Sequence, residues 1–126
     1  MRSEKGFTLV EVMMALVILS VVMLGLAAAT GSMVVRVTES GRRTEAMQLA
    51  EDRVARIQID PSYDDLASRY EVVEDSIPGH PELVRETEIE HLGGPGAAMD
   101  HKIVTVRVTG SGLPSPVART VAVGAP

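Results

Sequence analysis

Few residues in this 126-residue chain are equipped for chemistry. His80, His91 and His101 stand eleven and ten positions apart, which matches no zinc-ligand spacing, and none has the Glu-x-x-His setting of a metallopeptidase. They read as surface histidines near loops. No serine sits in a Gly-x-Ser-x-Gly context, and Gly93-Gly94-Pro95-Gly96 lacks the Lys-Ser/Thr pair of a phosphate loop. The absence of cysteine excludes thiol chemistry and a disulfide framework. Residues 60–101 hold eleven acids against Arg69 and Arg85, a net of −9 that could face a basic partner or calcium. No spaced oxygen-ligand loop accompanies them, so a solvated acidic surface is the plain reading. These patterns predict no catalytic constellation, no metal site, no cofactor and no small-molecule substrate.

One carboxylate stands apart. Glu11 interrupts an apolar run that then continues without charge from Val12 to Val35, 24 residues. As a helix these span roughly 36 Å, enough for a hydrocarbon core of about 30 Å. An acid costs about 2.5–3.5 kcal/mol at mid-membrane and less near the interface, so it needs compensation. Thr8-Leu9-Val10-Glu11 supplies one form as a capping box, with Thr8 at the N-cap, Glu11 at N3, and Phe7 and Val12 placed for a hydrophobic staple. A negative charge in the first turn also suits the helix dipole.

The octet Lys5-Gly6-Phe7-Thr8-Leu9-Val10-Glu11-Val12 resembles the class III signal of type IV prepilins and type II secretion pseudopilins. The resemblance implies that a prepilin peptidase cuts between Gly6 and Phe7 and methylates the amine of Phe7. It implies that Glu11, fifth in the mature chain, serves assembly by meeting the amino terminus of a neighbouring pilin or pseudopilin. Many relatives carry a proline within the apolar half and partly unwind there; this chain has only Gly25 and Gly31 in that stretch. Many large pilins close a C-terminal loop with a disulfide, which this chain cannot do. Some pseudopilins hold calcium in the soluble domain.

Two other readings compete. An ordinary secretory signal would use Arg2 and Lys5 as its basic region and Ala27-Ala28-Ala29 as its cleavage site, releasing a domain that starts near Thr30. Glu11 weakens such a signal. A plain single-pass anchor is the other, and basic residues do not orient it. Arg2 and Lys5 precede the segment, while Arg36, Arg42 and Arg43 follow it and lean toward a cytoplasmic C-terminus. Placement of the C-terminal part in the periplasm follows from the resemblance.

Composition bounds the remainder. A formal net charge of −5, one Phe and two Tyr argue against nucleic-acid binding. Residues 102–126 carry Lys102, Arg107 and Arg119 and no acid. From Met33 onward, Met33, Val37, Ser40, Thr44, Met47, Ala50, Val54 and Ile57 recur at steps of three and four, which predicts one continuous helix from about Thr8 to Ile59 with this stripe on a sheet. Asp60-Pro61 stops it. Asp60 is placed to cap a short helix through Tyr63, Leu66 and Ala67, and Tyr70 to Val73 reads as an edge strand. Leu83 to His91 alternates, with Leu83, Arg85, Thr87 and Ile89 on one face. Ile103 to Thr109 is β-branched almost throughout, and Val117 to Val123 should pair antiparallel with it.

The predicted fold is therefore α+β: a long N-terminal helix, transmembrane then amphipathic, on a small antiparallel sheet of three or four strands. The expected divisions are a leader at 1–6, a membrane and assembly half at 7–35, an amphipathic half at 36–59, and a periplasmic head at 60–126. The head is too small to fold well without the helix as a second layer. By resemblance the chain is expected to be a minor subunit of a type II secretion pseudopilus, most like the I-type. The alternative is a minor pilin of a type IV pilus or DNA-uptake system. Its partners would be prepilin peptidase, other pilins or pseudopilins, and the inner membrane.

Overall fold

A computed structural model describes residues 5–94 and 96–126. Arg2 of the expected leader and Pro95 of the Gly-rich break lie outside the described residues. The chain is α+β and pilin-like: helix α1 (Leu9–Ile59), a 3-10 turn (Tyr63–Asp65), helix α2 (Leu66–Tyr70) and strands β1 (Val73–Glu74), β2 (Leu83–Leu92), β3 (His101–Gly110) and β4 (Val117–Gly124). It divides into two compact units, Met1–Thr38 and Glu39–Pro126.

The first unit is the N-terminal part of α1. It is long and apolar enough to cross a membrane, and none of that stretch is buried within the chain. Its hydroxyls are satisfied inside the helix. Ser20 donates to the Leu16 carbonyl at 2.7 Å, Thr30 to Leu26 at 2.9 Å and Ser32 to Ala29 at 2.9 Å. A segment with its polar groups paired internally is the kind that lipid tolerates.

In the second unit the four strands form one antiparallel meander, in order β1-β2-β3-β4. The β2–β3 register pairs Leu83 with Gly110 and Leu92 with His101, and β3–β4 pairs His101 with Gly124. Alternation gives β2 its inner row, Leu83, Arg85, Thr87 and Ile89, as the sequence predicts. Lys102, Val104, Val106 and Val108 form the inner row of β3. These rows close on the C-terminal part of α1 around Ile57, Leu66, Leu83, Val104, Val106 and Val108, all under 2% exposed. The helix therefore supplies the second layer that the sheet lacks.

Three local expectations are corrected. The buried row of α1 is Ala46, Ala50, Arg53 and Ile57, with Met47 and Val54 beside it and Thr44 exposed. Two alanines let the sheet approach, and an arginine can sit in that row because a carboxylate neutralises it there. Asp60 makes no side-chain cap to the short helix; its Oδ1 accepts the Ser62 N–H at 2.8 Å, an Asx turn. Tyr70 ends α2 instead of opening a strand, and β1 is only Val73–Glu74.

Two glycines have a backbone reason. Gly93 (φ +94°) follows β2 and Gly110 (φ +155°) ends β3, and a Cβ there would overlap the carbonyl oxygens of Met99 and Glu82 respectively.

Candidate functional site

The three residues singled out for processing and assembly lie at the start of α1: Gly6 and Phe7 just before it and Glu11 in its first turn. The Thr8 N–H donates to Glu11 Oε2 at 3.4 Å and the Glu11 N–H donates to Thr8 Oγ1 at 3.3 Å. This is the reciprocal capping box, formed as its spacing predicts. The Val12 N–H then bonds the Thr8 carbonyl at 3.2 Å and starts the helix. The hydrophobic staple is not closed, because Phe7 keeps 84% of its surface exposed. Gly6 is exposed and precedes the helix, and a Cβ there would meet nothing within 4 Å. No contact among the described residues demands a glycine at that position. Gly25 and Gly31, inside the apolar helix, have equally open surroundings. Each costs about 1 kcal/mol relative to alanine in a helix interior, so any benefit they bring lies outside the chain.

Glu11 is exposed, within an apolar surface that runs from Phe7 to Val35. Neither of its hydrogen bonds supplies a cation, since both join it to Thr8. The capping box satisfies backbone donors and leaves the charge without a cation among the described residues.

The histidines lie elsewhere and apart. His80 approaches Glu45 at 3.8 Å, whereas His91 Nε2 meets Asp100 Oδ1 at 2.6 Å. Asp100 also accepts the Tyr63 hydroxyl at 3.0 Å, and these two bonds, His91 first, hold its carboxyl below the usual range. Lys102 Nζ donates to the Tyr63 and Asp64 carbonyls at 2.6 and 3.1 Å while lying over the Tyr63 ring. This group ties the 3-10 turn to the sheet. Among the described residues no three His, Asp or Glu side chains gather where they could hold a metal ion.

Of two charge clusters, the first fixes α1 to the sheet and the second folds the segment just after α1 onto α2. Glu74 receives the Arg85 Nε at 2.7 Å and Nη2 at 3.0 Å, and ion-pairs with Arg53. Arg85 also donates to the Leu49 carbonyl at 3.1 Å. The Arg85 bonds foremost, then Arg53, keep the Glu74 carboxyl below its ordinary value. Asp60 accepts Arg69 at 2.8 Å and the Tyr70 hydroxyl at 2.7 Å in addition to Ser62. The Ser62 N–H contributes most to lowering its pKa, and the Tyr70 hydroxyl next. The sequence signalled Arg85 by its place in the β2 alternation. It held no comparable sign of Arg53, Glu74 or Lys102.

The family described as the prokaryotic N-terminal methylation motif matches residues 1–27. Comparison with curated proteins and with solved structures finds no match. Residues 1–27 thus carry a class III signal, and with a long apolar helix on a four-stranded antiparallel sheet the chain fits the type IV pilin-like and pseudopilin superfamily.

Proposed function

We propose that this chain is a structural, non-catalytic minor subunit of a type II secretion pseudopilus. Prepilin peptidase removes residues 1–6 by cutting between Gly6 and Phe7, and Phe7 is N-methylated. Residues 7–35 then hold the subunit in the inner membrane and pack against other pseudopilins, residues 36–59 form the amphipathic half, and residues 60–126 form a periplasmic head. The methylation motif over residues 1–27 supports the coarser part of this reading, a pilin-like subunit processed by prepilin peptidase. Its physical support is the charge of Glu11, which meets no cation among the described residues and lies in an apolar surface, one helical turn from the amine that cleavage would create at Phe7. A neighbour's amine is a cation of the right sign, and pairing would desolvate both charges together. Gly6, which nothing among the described residues requires to be small, suits recognition by a peptidase.

The test is processing. With Gly6→Leu, expression beside the peptidase should leave the chain at its full-length gel mobility, while the unaltered chain shifts. Equal mobility of the two chains, with and without the peptidase, would contradict the proposal.

A further inference from the structure

Strand β4 ends the sheet. Its register with β3 runs one to one, from Val117 opposite Val108 to Gly124 opposite His101, without a bulge. Among the described residues nothing pairs with its other side. That leaves a free edge of about 27 Å. Sheet edges are commonly kept short, bulged, or guarded by lysine, proline or a free charge, because an open row of backbone donors and acceptors recruits other strands. The opposite edge, β1, is only two residues long. β4 has none of these guards. Prolines stand outside it at 116 and 126, and its one charge, Arg119, is ion-paired with Glu51 on α1.

The two faces of β4 define what fits beside it. Val117, Arg119, Val121 and Val123 share the inner face, where Val121 and Val123 pack on the core yet stay half-buried. β-branched residues on a neighbouring strand would cover them. The outer face carries Ala118, Thr120 and Ala122, opposite Arg107, Thr105 and Ile103. The Thr105 and Thr120 hydroxyls lie 3.2 Å apart, a pair that a further threonine would extend. Arg107 is exposed and loosely held, with the Glu86 carboxylate at 3.9 Å. Ala118 beside it is too small to screen it from the edge. A carboxylate opposite Ala118 on an added strand would stand two strand spacings from Arg107, about 9.6 Å between Cα atoms, within reach of the two side chains.

We infer that β4 receives an extended segment of a different protein as a fifth strand, with β-branched residues on the inner face and a threonine and an acid on the outer one. β4 carries no acid of its own, so a second copy paired edge to edge would offer Arg107 no counter-charge. In this mode main-chain hydrogen bonds supply the affinity and alternate side chains the specificity. Strand addition at β4 is independent of cleavage at Gly6, so its failure leaves the proposed function standing.

The probe is a synthetic peptide of about ten residues, with valine at alternate positions, threonine between them and one central glutamate, titrated into the detergent-solubilised full-length chain. Hydrogen exchange at alternate β4 amides should slow by about tenfold or more at saturation, while exchange in β1 stays unchanged. N-methylation of alternate peptide amides should weaken binding by about tenfold in one frame and little in the other, because only one set of amides faces β4. Arg107→Glu should weaken binding by about fivefold, and lysine in place of the peptide glutamate should recover it. No slowing at millimolar peptide, equal binding of the two N-methylated frames, or an affinity indifferent to Arg107→Glu overturns the inference. So does β4 protection that rises with the concentration of the chain alone, since a second copy would then cover the edge.

Discussion

Glu11 can be altered in two ways that separate its roles. A capping box accepts Glu or Gln at N3, so Glu11→Gln keeps the Thr8 bonds and removes only the charge. Thr8→Ala does the reverse, at a cost of about 1 kcal/mol in helix-end stability. If assembly uses the charge, E11Q is processed but drops out of the co-isolated assembly, and T8A remains in it. Normal incorporation of E11Q, followed by co-purification with neighbouring subunits, would assign Glu11 to capping alone. The octet made these residues legible, because local spacing encodes both the cap and the signal. Asp60 was only half legible. Its position before Pro61 marked the helix stop, but its bonds to Arg69 and Tyr70 join residues nine and ten positions on through a turn that no periodicity describes. Its pKa is lowered in the folded chain, as are those of Glu74, Glu82 and Asp100. Stability from such groups is present above the unfolded carboxylate range near 4 and is lost as pH falls through the lower folded values. The thermal stability of the detergent-solubilised chain should therefore fall steadily below about pH 4. Asp60→Asn should flatten that acid limb, and an unchanged limb would show that Asp60 does not contribute.

At the scale of elements, the join between α1 and the sheet depends on Glu74. Removing it as Glu74→Ala leaves the Arg53 and Arg85 side chains, 10% and 11% exposed, facing each other without an anion. The expected loss is about 3 kcal/mol, the low end for a broken buried pair because Glu74 itself is 29% exposed. A fall in Tm of several degrees in the detergent-solubilised protein checks this, and a loss within about 0.5 kcal/mol, the range of ordinary surface substitutions, would contradict it. Gly93→Ala should also destabilise, by about 1–3 kcal/mol, since it combines a positive φ with an overlap on the Met99 carbonyl. Circular dichroism melting would check it. The strands were legible because alternation in β2 and the β-branched run in β3 are local signals. The buried face of α1 is half legible: periodicity marks Ala50 and Ile57, which are buried, but hydrophobicity points to Met47 and Val54 where packing selects the small Ala46 and the neutralised Arg53. That choice depends on Glu74, 21 residues beyond Arg53, and periodicity carries no information about it.

For the whole molecule, the apolar window of α1 is unburied among the described residues, while the C-terminal part of the helix completes the core of the sheet. The apolar surface from Phe7 to Val35 must meet lipid or other helices, and the class III signal at residues 1–27 points to a subunit that meets both in turn. The overall layout was readable since a 24-residue uncharged run and three β patterns leave few alternatives. The machinery was not, because secretion and pilus subunits share the signal, and the head carries no ligand constellation among its described residues to separate them. Mass spectrometry of the N-terminal peptide, from protein isolated from its own membranes, tests the central claim most directly. The account predicts a chain that begins at Phe7 with a methylated amine. A chain that still begins at Met1, or one that begins near Thr30, would contradict it.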